Sequence, residues 1–195
     1  MCLLEVAWGK YAPKRPVSTA FGARRRPRRR YRDGVTEHPP AVVLSHPPVS
    51  LLHAANPIVR LLLRTALAGR LRGQVMVVDV IGRRTGRRYS IPLSAHRIDG
   101  DLYALSSAPW KHNFRDGAPC EVLLDGKTTP MRGVLIEDRA VVAELSRRCA
   151  EAYGIRRAQP MMGLKFSGGQ LPTADEFADA VDRHGYAAVR FTPGS

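Results

Sequence analysis

The sequence predicts an α+β domain built on an antiparallel, barrel-like sheet, and three observations lead there. Short β-rich runs follow one another along the chain: Val75–Ile81, then residues 87–98, 101–106, 119–124, 128–137 and 187–191. Two of the connections between them are Asp-Gly pairs, Asp99-Gly100 and Asp125-Gly126, a strong hairpin signal. Helical periodicity is confined to residues 57–69, 139–153 and 173–184, so helices are segregated from the hairpins and do not alternate with strands.

The chain of 195 residues is long enough for one domain with a real core, and 44% hydrophobic residues is a globular content. No apolar run reaches the length of a membrane span, and no N-terminal stretch has the apolar core of a secretory signal. Three widely spaced cysteines, Cys2, Cys120 and Cys149, form neither a disulfide framework nor a zinc-binding pattern. A reducing cytoplasm is the expected location, with a membrane surface as the second place a basic protein would sit. The net charge is +14, with 31 Lys/Arg against 17 Asp/Glu. Residues 1–40 hold ten of the basic residues and three of the acidic ones, so half the net charge sits in a fifth of the chain. The overall basicity therefore says little about a nucleic-acid partner for the folded part.

Residues 1–48 show no sustained periodicity, contain seven prolines and carry a block of like charges at 24–32. They read as a disordered, basic, Pro/Arg-rich arm, with residues 49–195 as the folded domain. The arm is either a non-specific binder of nucleic acid or acidic surfaces, or an inert extension. No aromatic residue is interleaved in the 24–30 block to stack on bases, which favours the inert reading and argues against a specific nucleic-acid partner.

In chain order, Asn56-Pro57 supplies an N-cap and a first-turn proline for an amphipathic helix that closes at Gly69 or Gly73. Val75–Ile81 and the strand after it flank the turn Gly82-Arg83-Arg84-Thr85-Gly86. Pro92, lacking an amide donor, belongs at a sheet edge or bulge. After the strand 101–106, Ser107-Ala108-Pro109 breaks the chain and residues 111–115 form one helical turn. A hairpin over Asp125-Gly126 follows. Asp138 caps the helix Arg139–Tyr153, which Gly154 ends. Residues 155–172 read as loop, with Met161-Met162 either lining a hydrophobic pocket or filling core. Thr173-Ala-Asp-Glu176 is a capping box, Gly185 ends its helix, and a last short strand follows.

The arginine turn carries the sharpest chemistry. Arg83, Arg84, Arg87 and Arg88 lie in it or just after it, beside the Thr85 hydroxyl and two glycines. Guanidinium forks suit phosphate or carboxylate oxygens, and glycine lets backbone N–H groups approach a ligand. The turn is either an anion cradle at the mouth of the sheet or a solvated, basic hairpin tip. Asp79 interrupts an apolar strand and calls for an arginine partner. Cys120 alternates with apolar neighbours and reads as buried and inert.

Together, Gly82-Arg83-Arg84-Thr85-Gly86, Ile91-Pro92-Leu93 and Trp110-Lys111-His112-Asn113 resemble the deazaflavin-dependent nitroreductase family, over residues 58–151. The resemblance implies the split β-barrel fold shared with pyridoxamine-phosphate oxidases and binding of coenzyme F-420, a deazaflavin carrying a phosphate and an oligoglutamate tail. It implies that Arg83, Arg84, Thr85 and Arg88 hold the phosphate, with Pro92 shaping the strand beneath. It further implies that Ser106, Ser107, Trp110, Asn113 and Arg115 line the deazaflavin and its tail. The activity implied is hydride transfer from reduced F-420 to an electron-poor acceptor: a quinone, an enone or a nitro compound. The segment before Trp110 is shorter than in many members, and Tyr153 is the one counterpart to their substrate-side tyrosines. The segment 155–185 lies outside the resemblance and could serve as a lid.

If a cofactor brings the hydride chemistry, the protein needs at most a proton donor; His96, His112 and Tyr153 are the candidates, each equally readable as structural. Trp110 either stacks on the cofactor or plugs the barrel mouth. Two other readings remain: a split barrel that binds FMN or a tetrapyrrole, and a non-enzymatic basic domain that binds nucleic acid. Both monomer and homodimer are compatible with the fold. No metal-binding pattern is present in the sequence.

Overall fold

The computed structural model describes residues 40–45, 69 and 73–194. The N-terminal helix expected over residues 57–69 and most of the basic arm lie outside them. Among the described residues no helix is long and apolar enough to cross a membrane.

The described residues form nine strands and three α-helices: β1 (Val42–Leu44), β2 (Val75–Ile81), β3 (Arg88–Ser94), β4 (His96–Ile98), β5 (Asp101–Ser106), a 3-10 helix (Pro109–Phe114), β6 (Ala118–Leu124), β7 (Lys127–Ile136), α1 (Arg139–Tyr153), α2 (Ile155–Met162), β8 (Leu164–Phe166), α3 (Ala174–His184) and β9 (Ala187–Pro193). Seven strands form one antiparallel sheet in the order β3-β2-β6-β7-β9-β5-β4. Its two end strands, β3 and β4, are consecutive in the chain and separated by Ala95 alone. The Ala95 N–H leaves the strand pattern to donate to Gln74 O at 2.9 Å. What reads in sequence as one strand over 91–98 is therefore a bent pair that ends one edge and begins the other, and the sheet curls into an α+β split barrel. Pro92 sits on β3 opposite Val77 at the end of the strand order, an edge that needs no donor from it.

Both Asp-Gly turns take the hairpin conformation. Asp99 and Asp125 each have φ of 53°, and Gly100 and Gly126 have φ of 85° and 79°. Two consecutive positive φ values match the right-handed twist of the flanking strands.

Period-two alternation sorts side chains into two cores. Met76, Val78 and Val80 of β2, Leu102 of β5 and Phe191 of β9 point into the barrel. Tyr103 and Leu105 of β5 point the other way, into a core shared with α1, α2 and α3. The 3-10 helix plugs the barrel: Trp110, Phe114 and Phe191 form an edge-to-face chain with centroids 6.1 and 5.7 Å apart. Phe114 lies directly on Gly133, where a Cβ would come within 2.4 Å of the ring. Behind the plug, the buried ammonium of Lys111 donates to Gly185 O at the C-terminus of α3, where the helix dipole favours a cation.

Three sequence expectations change. Residues 155–162 form α2 despite Pro160, ended by Gly163 in the left-handed conformation. Segment 155–185 is no lid, because Ala158, Met162, Phe177 and Ala178 are buried in the helical core; Met162 is thus core filling. The folded part also begins earlier than residue 49. Val42–Leu44 pair antiparallel with β8, and Val42 is fully buried.

Candidate functional site

The β2–β3 turn is closed from within. Gly82 O accepts the N–H groups of Thr85 at 3.2 Å and Gly86 at 2.8 Å, and the Gly82 N–H donates to Arg87 O at 2.8 Å. The Arg87 N–H donates to Thr85 Oγ1 at 3.3 Å, and that hydroxyl pairs with Tyr89 OH at 2.9 Å. Gly82 is buried against Tyr89, whose ring would lie 2.4 Å from an added Cβ. Gly86 has φ of 66°, which glycine adopts readily. The turn's amides are thus largely engaged internally. The turn presents guanidinium groups to solvent, not the backbone N–H groups that the glycines suggest.

The four arginines are not equivalent. Arg84 and Arg87 are exposed and make no ion pair among the described residues. Arg83 Nη2 pairs with Asp116 Oδ2 at 2.7 Å, between side chains 47% and 73% exposed. Arg88 bridges two carboxylates on neighbouring strands: Asp79 at 3.1 Å and Glu121 at closer range. Asp79 and Glu121 are direct cross-strand partners, an arrangement of like charges that needs a cation over it. Asp79 is 5% exposed and also accepts from Ser90 Oγ. The Asp79 and Glu121 carboxylates hold the Arg88 guanidinium above its ordinary pKa. Asp79 thus has the arginine partner its burial calls for, and Arg88 is charge-compensated within the fold.

The turn is docked to the 3-10 helix. The Arg83 N–H donates to Asn113 Oδ1 at 3.1 Å, and Asn113 Nδ2 donates to Trp110 O at 2.9 Å. Arg115 follows the helix and pairs with Glu137 at 3.3 Å, while its Nη2 lies 3.3 Å from His112 Nδ1. Ser106, buried at the end of β5, accepts from the Ala108 N–H at 3.0 Å and shapes the chain before the helix, and Ser107 between them is half-buried. Trp110 is 1% exposed, and its indole N–H is buried without a partner. Such a group carries an uncompensated desolvation cost.

Arg83, Arg84, Thr85, Trp110, Asn113 and Arg115 are thus gathered along one connected path, with Ser106 and Ser107 leading into it. Tyr153 is elsewhere. It packs against the helical core, where its OH donates to Ala95 O at 3.3 Å and lies 3.1 Å from His96 Nδ1. Burial pushes the Tyr153 phenol up to about 12 and the His96 imidazole down to about 4. Cys149 Sγ is 3.3 Å from the same His96 nitrogen, and burial raises its thiol to about 12. His112 is lowered first by burial and then by the charges of Lys111 and Arg115. Cys120 is buried, and desolvation raises it to about 11, which leaves it a thiol. The residues that sequence reasoning missed are Asp116, Glu121 and Glu137. Asp116 and Glu121 stand far along the chain from Arg83 and Arg88, as Glu137 does from Arg115, and only the folded sheet brings each pair together.

No family model and no curated protein matches this chain. Among solved structures it is similar to a conserved hypothetical protein from Mycobacterium tuberculosis, at 16% identity and a TM-score of 0.39, over 82% of this chain and 87% of that one. It is also similar to a candidate 5-nitroimidazole antibiotic resistance protein from Bacteroides thetaiotaomicron, at 12% identity and a TM-score of 0.34, over 62% and 73% of the two chains.

Proposed function

We propose that this chain is a deazaflavin-dependent oxidoreductase that reduces an electron-poor organic acceptor: a quinone, an enone or a nitro compound. The observation that carries the reading is the hydrogen bond from the Arg83 N–H to Asn113 Oδ1, which sets the arginine turn against the helix bearing Trp110. A phosphate-bearing, ring-containing ligand needs that pairing of a cationic cradle with an aromatic, dry wall.

The donor set fits such a group. Arg84 and Arg87 supply guanidinium groups with no ion-pair partner among the described residues, and Arg83 joins them by exchanging an exposed carboxylate for a phosphate. Exposed ion pairs are weak enough to exchange. When bound, reduced coenzyme F-420 would supply the hydride. The residues present do the remaining work. Arg83, Arg84 and Arg87 hold the anion, while Thr85 and Tyr89 fix the turn. Ser107 and Asn113 would face the ring beside the turn, Ser106 and Trp110 lie buried beneath them and support that surface, and the Trp110–Phe114 plug keeps water out of the barrel. Arg88 supports the turn from beneath through Asp79 and Glu121. His112, its pKa lowered, is neutral at pH 7 and is a hydrogen-bond acceptor for Arg115. Tyr153 is tied to His96 and Ala95 in the other core. Solvent is then the source of any proton the acceptor takes up.

The test is consumption of reduced coenzyme F-420 by the full chain with menadione, a nitroaromatic and an enone as acceptors. The reading expects turnover with at least one acceptor, abolished in the Arg84→Ala/Arg87→Ala variant. Turnover of reduced FMN in its place would keep the fold and change the cofactor. No turnover with either would overturn the reading.

A further inference from the structure

We infer that Asp116 and Glu137 set the anion multiplicity of this site: it takes a ligand with one phosphate and gains no affinity from a longer chain of anionic groups. The inference rests on the proposed function for its ligand and on the ion pairs for its argument. Six arginines stand around the turn and the end of the 3-10 helix: Arg83, Arg84, Arg87, Arg88, Arg115 and Arg132. Four carboxylates answer them. Asp116 pairs with Arg83 at 2.7 Å and Glu137 with Arg115 at 3.3 Å, while Asp79 and Glu121 share Arg88. A sequence count makes the region strongly cationic, whereas the folded balance is two formal positive charges.

Asp116 is not a stray surface charge. Arg132 Nη2 donates to its backbone carbonyl at 3.2 Å, and Gly117, with φ of 73°, turns the chain immediately into β6. Arg83 is therefore held twice by one short segment, at its backbone by Asn113 and at its guanidinium by Asp116. Glu137, just past the end of β7, pairs with the Arg115 guanidinium and lies 3.9 Å from His112 Nδ1. A single phosphate can take Arg84 and Arg87 and draw Arg83 from Asp116. Each further anionic group along the ligand would meet arginines already matched, with the displaced carboxylates close by. Like charges at that range repel, within the reach that salt leaves unscreened.

The experiment compares orthophosphate with tripolyphosphate, and tail-free F-420 with its oligoglutamate form, on the full chain at low salt. Calorimetry reads the first pair and cofactor fluorescence the second. The variants are Asp116→Asn, Glu137→Gln and both together. The wild type is expected to bind the short and long members of each pair within about threefold. The double variant should bind the long members about fivefold to tenfold more tightly while gaining less for the short ones, an effect that shrinks in moderate salt. Wild-type preference for the long members by about tenfold or more, or a double variant with unchanged selectivity, would overturn the inference. Phosphate binding without binding of either F-420 form would fail the deazaflavin reading and leave the charge argument to stand on the inorganic pair. Binding of neither phosphate would overturn both.

Discussion

Arg83 and Asn113 stand thirty residues apart in sequence and meet through one hydrogen bond, Arg83 N–H to Asn113 Oδ1 at 3.1 Å. With Asn113 Nδ2 on Trp110 O, one amide side chain joins the turn to the plug. Replacing Asn113 by Ala removes both bonds. A stability loss of ~1–2 kcal/mol is expected in urea unfolding, since each net hydrogen bond contributes about 0.5–1.5 kcal/mol. Phosphate affinity should fall as well, because Arg83 loses its backbone tether. Unchanged stability and affinity would mean the turn holds its place without this link.

Gly82 is required by the Tyr89 ring. A Cβ there would stand 2.4 Å from the ring and 2.8 Å from Thr85 Oγ1. Gly82→Ala should displace Tyr89, break its bond to Thr85 and weaken anion binding. Gly86→Ala meets no atom but takes a left-handed φ, so its cost should be a strain of ~1 kcal/mol with the Thr85–Tyr89 bond intact. Crystal structures of the two variants would separate the effects.

His96 makes the stability acid-sensitive. Buried and neutral, it is held near a pKa of about 4, against the ordinary 6.5, by desolvation. The unfolded chain therefore binds the proton first as pH falls, and stability drops between about pH 6.5 and pH 4. At 1.36 kcal/mol per unit, the full effect is ~3 kcal/mol. His96→Phe should flatten that limb of the stability–pH curve, since Tyr153 retains Ala95 O as its acceptor. An equally steep limb in the variant would place the sensitivity elsewhere.

The strand β1 belongs to the folded domain. Val42 is fully buried and Val43 is 40% exposed on the same three-residue strand. Val42→Ala should cost ~1–3 kcal/mol, and Val43→Ala no more than ~0.5 kcal/mol. Equal effects from the two would mean that β1 does not dock as described.

Much of this fold is legible in the sequence where the signals are local. The hairpin turns at Asp99-Gly100 and Asp125-Gly126, the Asp138 cap and the Thr173–Glu176 capping box all announce themselves within four residues. Where the chain depends on distant partners, it is silent. β1 hides among prolines because its partner, β8, is more than a hundred residues away. α2 hides because Pro160 and Gly163 read as loop, whereas burial of Ala158 and Met162 stabilises the helix. The site divides the same way. The arginines are visible as a run, and the resemblance places Asn113 and Trp110 beside them. Of the carboxylates that neutralise Arg83, Arg88 and Arg115, only Asp79 is marked locally, by interrupting an apolar strand; nothing local marks Asp116, Glu121 or Glu137.

The central claim is that the arginine turn and the 3-10 helix together hold a deazaflavin. The most direct measurement is a fluorescence titration of the full chain with oxidised coenzyme F-420, run beside FMN, for the wild type and Arg84→Ala/Arg87→Ala. Saturable F-420 binding with Kd in the micromolar range is expected, with little FMN binding and at least tenfold weaker F-420 binding in the variant, about 1.4 kcal/mol or more. Wild-type affinity retained in the variant, or FMN bound in preference to F-420, would contradict the claim.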